Sequence, residues 1–427
     1  MGTRGILNSH KINEQVTLKD GFSFVMMGND CSSQESKCSV CNSTEIVVLI
    51  ELEQVPVHCN LLWPTREAAL QTPRGDMQLG FCRNCSYIFN LAFKPELMEY
   101  SQTYENSLHF SPRFQSYAES LATYLIDRYE LRDKDIIEIG CGQGDFLRLL
   151  CELGNNRGVG FDPSYVPGQN HEATARLTFI QDLYSERYTA YHADLICCRH
   201  VLEHIQFPRD FVGRVRRSIG DRSSTVVFFE VPNVLFTLQD LGIWDLIYEH
   251  CSYFSPSSLA HLFTLCGFND YNLSETYAGQ FLCIEAIPGE GSSGLADSKN
   301  NLKMMANDVN AFADNYRRTV ESWRYKLDQM AASGQKTVVW GSGSKGVTFL
   351  NMLKTQDQIE YVVDINPRKH GMYVAGTGQQ IVPPEFLQNY LPDVVIIMNP
   401  IYQDEIRQIT EKLDLSPQLI CVQAEGG

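Results

Sequence analysis

The sequence lacks any apolar run near the roughly 18 residues that a membrane-spanning helix requires, and its first residues lack the apolar stretch of a secretory signal peptide. It is also poor in positive charge, with 35 Lys and Arg against 51 Asp and Glu and a formal net charge of −16. A negative surface repels nucleic acids and anionic membranes. We therefore expect a cytoplasmic monomer or homodimer that acts on a small molecule, with no nucleic-acid or membrane partner.

The composition is that of a packed globular protein. Of the 427 residues, 44% are hydrophobic and 20% are charged, and this length predicts two or three domains. Fourteen cysteines in a chain without a secretory signal favour reduced thiols and a metal site over disulfides.

Three segments separate along the chain, with predicted domains at residues 1–110, 111–288 and 299–427. A Gly/Ser-rich linker at residues 288–294 precedes the third. Short apolar strands alternate with helices in the second and third segments, which predicts α/β domains with parallel sheets. The strands are predicted at residues 135–139, 158–161, 194–198, 225–229, 337–340, 361–364 and 393–398, and the helices at 145–153, 208–219 and 299–332.

The strongest single pattern is a glycine loop behind the first strand of the central segment. Glu138 precedes Gly140, Gly142 and Gly144, and the next strand ends in Asp162. Glycines allow the backbone to approach a ligand closely, and an acidic residue at that place accepts both ribose hydroxyls of a nucleoside. Dinucleotide loops instead have Gly-x-Gly-x-x-Gly, which holds a pyrophosphate. The acidic, shorter loop suits S-adenosylmethionine, a cation without phosphate, and predicts a class I methyltransferase.

Two further residues are candidates for the same pocket. Asp182 follows one strand later, where it meets the adenine amino group or remains a loop carboxylate. Residues 199–204, which include His200, follow the fourth strand and border the pocket or only cap the next helix.

Four cysteines in two Cys-x-x-Cys pairs predict a metal site in the first segment. Cys38, Cys41, Cys82 and Cys85 supply four thiolates, which suit a closed, structural tetrahedral Zn²⁺. Such an ion stabilises folding rather than activating water. Substitute ligands are Cys31, His58 and Cys59, whereas Cys141 and Cys197 are expected to be buried packing residues.

Taken in order, these motifs resemble the nucleotide-sugar C-methyltransferases, a family that joins a zinc-binding N-terminal domain, a class I methyltransferase domain and a C-terminal Rossmann-like domain. The resemblance runs from Cys38 to about Ile406. Its markers are the cysteine pairs, residues 100–104 and 111–114, the glycine loop, and residues 248–255, 341–346, 362–367 and 369–371.

The resemblance implies a reaction. Its members deprotonate a keto-sugar beside the ketone and methylate the resulting enolate at carbon, which requires a base and donors for the enolate oxygen. The family's base corresponds to His250, with Glu249 as an assisting carboxylate. Its paired tyrosines correspond to Tyr100 and Tyr104. The motif before His250 is one residue shorter than in sugar-methylating members, so its tyrosine either shifts to Tyr248 or is lost.

The third segment carries the better dinucleotide fingerprint, Gly-x-Gly-x-x-Gly at residues 341–346 with Asp364 ending the next strand. The resemblance makes it a substrate-side domain in which Gly343, Lys345 and Asp364 contact the acceptor, or else a scaffold. Residues 399–402, Asn-Pro-Ile-Tyr, differ from the Trp-Asn pair of sugar-methylating members. The alternatives are therefore an O- or N-methyltransferase, an NAD(P)-dependent oxidoreductase and a non-catalytic zinc-stabilised binding protein.

Overall fold

The computed structural model describes residues 16–17, 23–24, 37–98, 105, 107–167, 176–289, 298–355 and 357–422. None of the helices in these ranges is long and apolar enough to cross a bilayer. Most of the predicted linker, residues 290–294, lies outside the described residues. The α-helices are α1 (Arg66–Leu70), α2 (Pro112–Arg128), α3 (Asp145–Gly154), α4 (Pro208–Ile219), α5 (Val234–Leu238), α6 (Pro256–Leu265), α7 (Ser298–Ala332), α8 (Ser344–Leu353), α9 (Leu387–Tyr390) and α10 (Gln403–Lys412).

Eighteen strands of the described residues form four sheets. The strands are β1 (Val16–Thr17), β2 (Ser23–Phe24), β3 (Ile46–Pro56), β4 (Arg74–Cys82), β5 (Ile88–Asn90), β6 (Asp135–Ile139), β7 (Arg157–Phe161), β8 (Leu177–Ile180), β9 (Leu195–Arg199), β10 (Val226–Pro232), β11 (Ser252–Tyr253), β12 (Asp270–Thr276), β13 (Phe281–Ile287), β14 (Thr337–Trp340), β15 (Tyr361–Val363), β16 (Gln380–Val382), β17 (Val394–Ile397) and β18 (Gln418–Cys421). β1 and β2 pair only with each other.

The central sheet has seven strands in the order β12-β13-β10-β9-β6-β7-β8. The five strands from β10 to β8 are parallel, and β13 runs antiparallel between β10 and β12. This order confirms the predicted class I methyltransferase fold. The sheet is mixed rather than purely parallel, because the β12–β13 hairpin closes one edge. Residues of β6 and β9 are almost all buried, since helices cover both faces of the sheet.

The C-terminal sheet is wholly parallel, in the order β16-β15-β14-β17-β18. The strand order reverses at β14, and in open α/β sheets such a crevice is where ligands bind. The 35-residue helix α7 precedes this sheet. Its inner side, which includes Phe312, Tyr316 and Trp323, is buried in the same hydrophobic core as the N-terminal strands.

The N-terminal sheet has the order β11-β5-β4-β3 and is antiparallel. Its edge strand β11 comes from the central segment, two residues after His250, and pairs with β5. The sheet therefore draws on two of the three predicted domains. This pairing fixes the loop that contains His250 against the N-terminal segment.

Candidate active site

The glycine loop at residues 140–144, called the donor loop below, contains three glycines whose surroundings differ. A Cβ on Gly140 would lie 2.1 Å from the Val201 side chain, and one on Gly144 would lie 2.4 Å from the Phe179 ring. Both residues have positive φ, and Gly144 begins α3. Gly142 also has positive φ (54°), but a Cβ there would meet nothing within 4 Å. Gly140 and Gly144 are therefore needed for packing, whereas Gly142 opens onto space for a ligand.

Asp162 lies beside this loop at the end of β7. Its Oδ2 accepts a hydrogen bond from the Gly142 amide at 2.7 Å, and its Oδ1 accepts from the Ser164 amide at 2.8 Å and from the Ser164 hydroxyl at 2.6 Å. The side chain is half-buried. A carboxylate has about four acceptor sites, and these three contacts leave one on Oδ2, so a ribose hydroxyl of a bound nucleoside fits this position.

Glu138 lies beneath the loop, only 3% exposed. Its Oε2 atom is buried with no hydrogen-bond partner. Burial raises the pKa of this carboxyl to about 8, although the positive charge of Arg199 opposes the shift. A buried, unpartnered acidic oxygen is costly unless a cation or donor meets it. The two carboxylates, Glu138 and Asp162, and the open space at Gly142 therefore fit the amino acid and ribose parts of S-adenosylmethionine.

Asp182 lies at the same edge of the sheet, after β8. Its carboxylate contacts the Tyr188 hydroxyl and the Arg187 guanidinium. The assignment of Asp182 to the adenine amino group stays a prediction, and these two partners would compete for the same oxygens.

His200 follows β9 and lies between two carboxylates. Its Nε2 is 2.8 Å from Glu230 Oε1, and its Nδ1 is 3.7 Å from Glu203 Oε1. Burial lowers the pKa of this ring, but the two carboxylates outweigh burial and raise the pKa to about 9. Glu230 also accepts two bonds from Arg199 at 2.8 and 3.0 Å. The predicted cofactor residue is thus a protonated member of a buried ion network.

His250 lies where the three segments meet, and its ring is in contact with that of His204, with ring centroids 5.0 Å apart. Burial lowers the pKa of His250 well below its ordinary value, and electrostatic interactions with the His204, His200 and Lys345 side chains add to the effect. The ring is therefore neutral at neutral pH and able to accept a proton.

The two residues before His250 anchor its loop. The Glu249 carboxylate is fully buried, accepts a hydrogen bond from the Cys59 amide at 2.8 Å and lies 3.6 Å from His58 Nδ1. The Tyr248 ring packs closely on Gly75, and its hydroxyl accepts from the Lys94 amide at 2.9 Å. These contacts join the loop to the N-terminal segment.

Two residues of this pocket were not singled out by sequence reasoning. His204 and Glu203 fall in residues 199–204, which are predicted only to border the pocket. The His204 Nδ1 atom lies 3.0 Å from the Glu249 carbonyl oxygen, which can only accept, so the ring donates there. The signal for them was weak, because nothing local pairs residues 203–204 with a residue 46 positions later.

The C-terminal glycine loop faces the same junction. Lys345 Nζ lies 3.0 Å from Asp245 Oδ2 and 3.1 Å from Gln280 Oε1. Asp364 Oδ2 accepts from the Ser342 amide and hydroxyl at 3.0 and 2.5 Å. Gly343 begins α8 with extended backbone, near the side chain of Asn60. The three predicted substrate residues therefore lie in one region. Lys345 is already paired with Asp245, and Asp364 with Ser342.

The four predicted metal ligands converge in the N-terminal segment. The sulfur atoms of Cys38, Cys41, Cys82 and Cys85 all lie within 4.8 Å of one another, with two pairs at 3.6 Å. A tetrahedral zinc with Zn–S bonds of about 2.3 Å separates its sulfurs by about 3.8 Å. The residue after each pair, Asn42 or Ser86, has positive φ and closes a turn onto the first cysteine.

The other predicted ligands and tyrosines lie elsewhere. His58 and Cys59 are at the Glu249 carboxylate rather than beside the four cysteines. Cys141 and Cys197 are buried, as expected. Tyr100, Tyr104 and Cys31 lie outside the described residues.

Comparison with known proteins yields two families and one relative over most of the chain. A family described as "Methyltransferase domain" matches residues 112–273, and one described as "C-methyltransferase C-terminal domain" matches residues 295–420. C-methyltransferase NovU of Streptomyces niveus is 23% identical over 391 residues, which cover 87% of this chain and 91% of that protein.

Solved structures align over about two fifths of the chain. Human N-acetylserotonin methyltransferase in complex with SAM is 16% identical with a TM-score of 0.31, and the match covers 41% of this chain and 55% of that one. Magnesium protoporphyrin IX methyltransferase of Synechocystis with bound SAH has the same identity and TM-score, covering 41% and 84%.

Proposed function

Because the chain belongs to the multidomain S-adenosylmethionine-dependent C-methyltransferase family, we propose that it methylates a carbon of a nucleotide-linked keto-sugar or related activated small metabolite, with His250 as general base. The observation that carries the proposal is the position of His250. His250 is a half-buried imidazole at the junction of three segments, and its neutral ring is able to accept a proton from a substrate bound there.

The proton transfer follows from this geometry. A neutral His250 nitrogen accepts the proton from the carbon beside the acceptor's ketone, and the electron pair moves onto the ketone oxygen. Bound S-adenosylmethionine supplies a methyl group activated by its sulfonium. The enolate carbon would take this methyl group as the bond from methyl carbon to sulfonium sulfur breaks, leaving S-adenosylhomocysteine, and His250 would keep the proton until the product leaves. Glu249 holds the loop of this base by accepting from the Cys59 amide, and the β11–β5 pairing holds it from the other side.

The negative charge of an enolate requires positive groups nearby, and the junction provides them. Lys345 lies close enough for its charge to lower the pKa of His250, and His200 is protonated at neutral pH. Tyr100 and Tyr104 remain candidate donors to the enolate oxygen. An anionic diphosphate of the acceptor would have to displace Asp245 from Lys345, because the two are 3.0 Å apart.

We further propose a structural zinc held by Cys38, Cys41, Cys82 and Cys85. The convergence of four thiols to near-tetrahedral distances supports it. A tetrathiolate site leaves no open position, so the ion acts on folding and not on the acceptor. The alternative of nicotinamide chemistry is less favoured at the C-terminal loop, because Asp364, the residue that would hold the ribose, is 9% exposed and its Oδ2 lies 3.8 Å from Lys369 Nζ.

The test separates binding from proton transfer. We expect His250→Gln to retain S-adenosylmethionine binding by calorimetry and to lose methylation by ~100-fold or more, the lower range for a general base. The exposed His192→Gln serves as a control. Wild-type protein should also exchange the acidic hydrogen of a keto-sugar nucleotide for deuterium, and His250→Gln should not. Methylation by His250→Gln at near wild-type rate would refute the base, and methylation without exchange at carbon would favour O- or N-methyl transfer.

A further inference from the structure

A second group of metal-ligating side chains lies in the candidate active site, apart from the four cysteines. One ligand atom from each of Glu203, His204 and His250 lies within 4.8 Å of the other two. Two imidazoles and one carboxylate are the ligand set of open divalent-metal sites, which keep further positions for water or substrate. Ligand atoms of a tetrahedral N/O site lie roughly 3.4 Å apart, so side-chain rotations that move each atom by about 1 Å would complete the site.

The orientation of His204 is that of a metal ligand. Its Nδ1 donates to the Glu249 carbonyl oxygen at 3.0 Å, so Nε2 is the nitrogen that would ligate a metal ion. A ligating histidine almost always donates its other ring N–H to a carbonyl or carboxylate, which fixes the ring and its tautomer. The backbone of Glu249 thus supplies this outer contact, and the 3₁₀ turn Leu202–His204 places Glu203 beside His204.

Glu203 provides the second, independent observation. The residue is only 2% exposed, and its Oε2 is buried with no hydrogen-bond partner. Its Oε1 lies 3.7 Å from His200 Nδ1, and one of its two oxygens lies within 4.8 Å of a ring nitrogen of His204 and of His250. Leaving a carboxylate oxygen unpaired in the interior costs free energy. A cation bound between Glu203 and the two histidines would remove that cost.

We propose that Glu203, His204 and His250 bind a first-row divalent metal ion such as Zn²⁺, and that this binding competes with catalysis by His250. A metal ion takes up the imidazole lone pair that the base needs, so one ring cannot serve both purposes at once. The site itself rests on geometry alone. Its consequence for activity rests on the proposed function, in which His250 accepts the acceptor's proton.

The charges around the cluster nearly balance, so they do not by themselves select a cation. Buried and half-buried carboxylates outnumber the cations by one when His200 is counted as protonated. The carboxylates are Glu203, Glu230, Glu249 and Asp245, and the cations are Arg199, His200 and Lys345.

The experiment counts metal in the full-length protein without any acceptor, so its outcome does not depend on the proposed reaction. Purified protein is incubated with excess Zn²⁺ or Co²⁺, desalted and analysed for bound metal. We expect one tight equivalent at the cysteines and a second equivalent elsewhere. In the cobalt protein, the second equivalent should add ligand-field bands without adding thiolate charge-transfer bands, because its ligands are nitrogen and oxygen.

Variants locate the second equivalent. Glu203→Gln and His204→Asn should each weaken it by more than ~100-fold, the upper end of the effect of a ligand's outer partner. Glu285→Gln, a buried carboxylate held by Tyr124 and Tyr129, should keep it. A wild-type protein that binds one equivalent in excess metal would overturn the proposal, as would a second equivalent that persists in both cluster variants. The cobalt spectrum of the wild type decides the matter even if a variant fails to fold.

Discussion

Residues 140–144 and residues 341–346 each connect the first strand of a parallel sheet to the helix that follows it. Each loop has a glycine at its first and third positions, and in each domain the next strand ends in an aspartate that bonds to the loop backbone, Asp162 or Asp364. By sequence pattern, the second loop is the better nucleotide site. The two loops nevertheless face different surroundings.

The first loop is open and the second is closed. Gly142 faces empty space, and Glu138 beneath it has an unpartnered oxygen. At the corresponding position of the second loop, two residues before its first glycine, the strand has the apolar Val339. Asp364 is 9% exposed and its Oδ2 lies 3.8 Å from Lys369 Nζ, whereas Asp162 is half-buried.

Contacts with other segments close the second loop further. Lys345 is paired with Asp245 of the central segment. The side-chain amides of Gln280 and Asn399 bond to each other at 2.9 and 3.0 Å, and Tyr277 donates to Tyr402 at 2.6 Å. Residues 399–402, which depart from the sugar-methylating pattern, thus join two segments. We therefore propose that the same backbone motif serves as a ligand site in one place, whereas in the other it is part of an interface.

The largest effect is expected from the two aspartates. Asp162→Asn should weaken S-adenosylmethionine binding by about 10- to 100-fold, since hydrogen bonds to a charged group contribute about 1.5–3 kcal/mol. Asp364→Asn should leave donor affinity unchanged and lower the free energy of unfolding by about 1–3 kcal/mol, because its charge holds Ser342. Calorimetry and denaturant unfolding of both variants measure the two quantities. Equal losses of donor affinity would remove the distinction between the loops.

Gly142 and Gly343 hold the third position of their loops, and alanine at these two positions should give donor affinities that differ by about tenfold. In Gly142→Ala the new Cβ enters the donor's space, and an L-residue with positive φ costs about 1–2 kcal/mol. Gly343 has extended backbone, and its Cβ would lie 4.0 Å from Asn60 Oδ1, so Gly343→Ala should bind the donor as wild type does. A similar loss of donor affinity in both variants would contradict the open and closed states described for the two loops.

The raised pKa of the Glu138 carboxyl predicts that donor affinity depends on pH. Because burial raises its pKa to about 8, the carboxyl is largely protonated at pH 7 without donor. The donor's positive charge favours the ionised form, so affinity should rise with pH up to about 8, by less than tenfold between pH 7 and 8. Calorimetry in buffers of different ionisation enthalpy should detect proton release on binding. In Glu138→Gln both the release and the slope should disappear; if they persist, another group titrates.

The smallest effect is expected at the Lys345–Asp245 pair, where each side chain is 19% exposed. A double-mutant cycle with Lys345→Gln and Asp245→Asn should give a coupling of roughly 1 kcal/mol in unfolding free energy. Donor affinity should not change in either variant. A loss of acceptor binding in Lys345→Gln alone would show that the acceptor replaces Asp245 as the partner of Lys345.

Much of the fold could be predicted because its signals are local. The predicted strand at residues 135–139 and helix at residues 208–219 match β6 and α4 to the residue. Apolar runs and the residues that cap helices lie within a few positions of one another. The hairpin β12–β13 was not predicted. Its strands lack a clean alternation, and its turn uses positive φ at Tyr277 and Ala278, residue types that do not announce such a turn.

In the candidate site, too, some features follow from local spacing in the sequence and others depend on tertiary contacts. The sequence alone predicted the glycine loop with its acidic partners, the convergence of the four cysteines and the methyltransferase class, because each depends on spacing within one or two adjacent elements. Tertiary structure alone decided that Glu203 and His204 lie near His250, that Glu249 reaches Cys59, and that Lys345 of the second loop pairs with Asp245. These contacts join residues 46 to 190 positions apart, and only the packing of three segments against one another brings such residues within bonding distance.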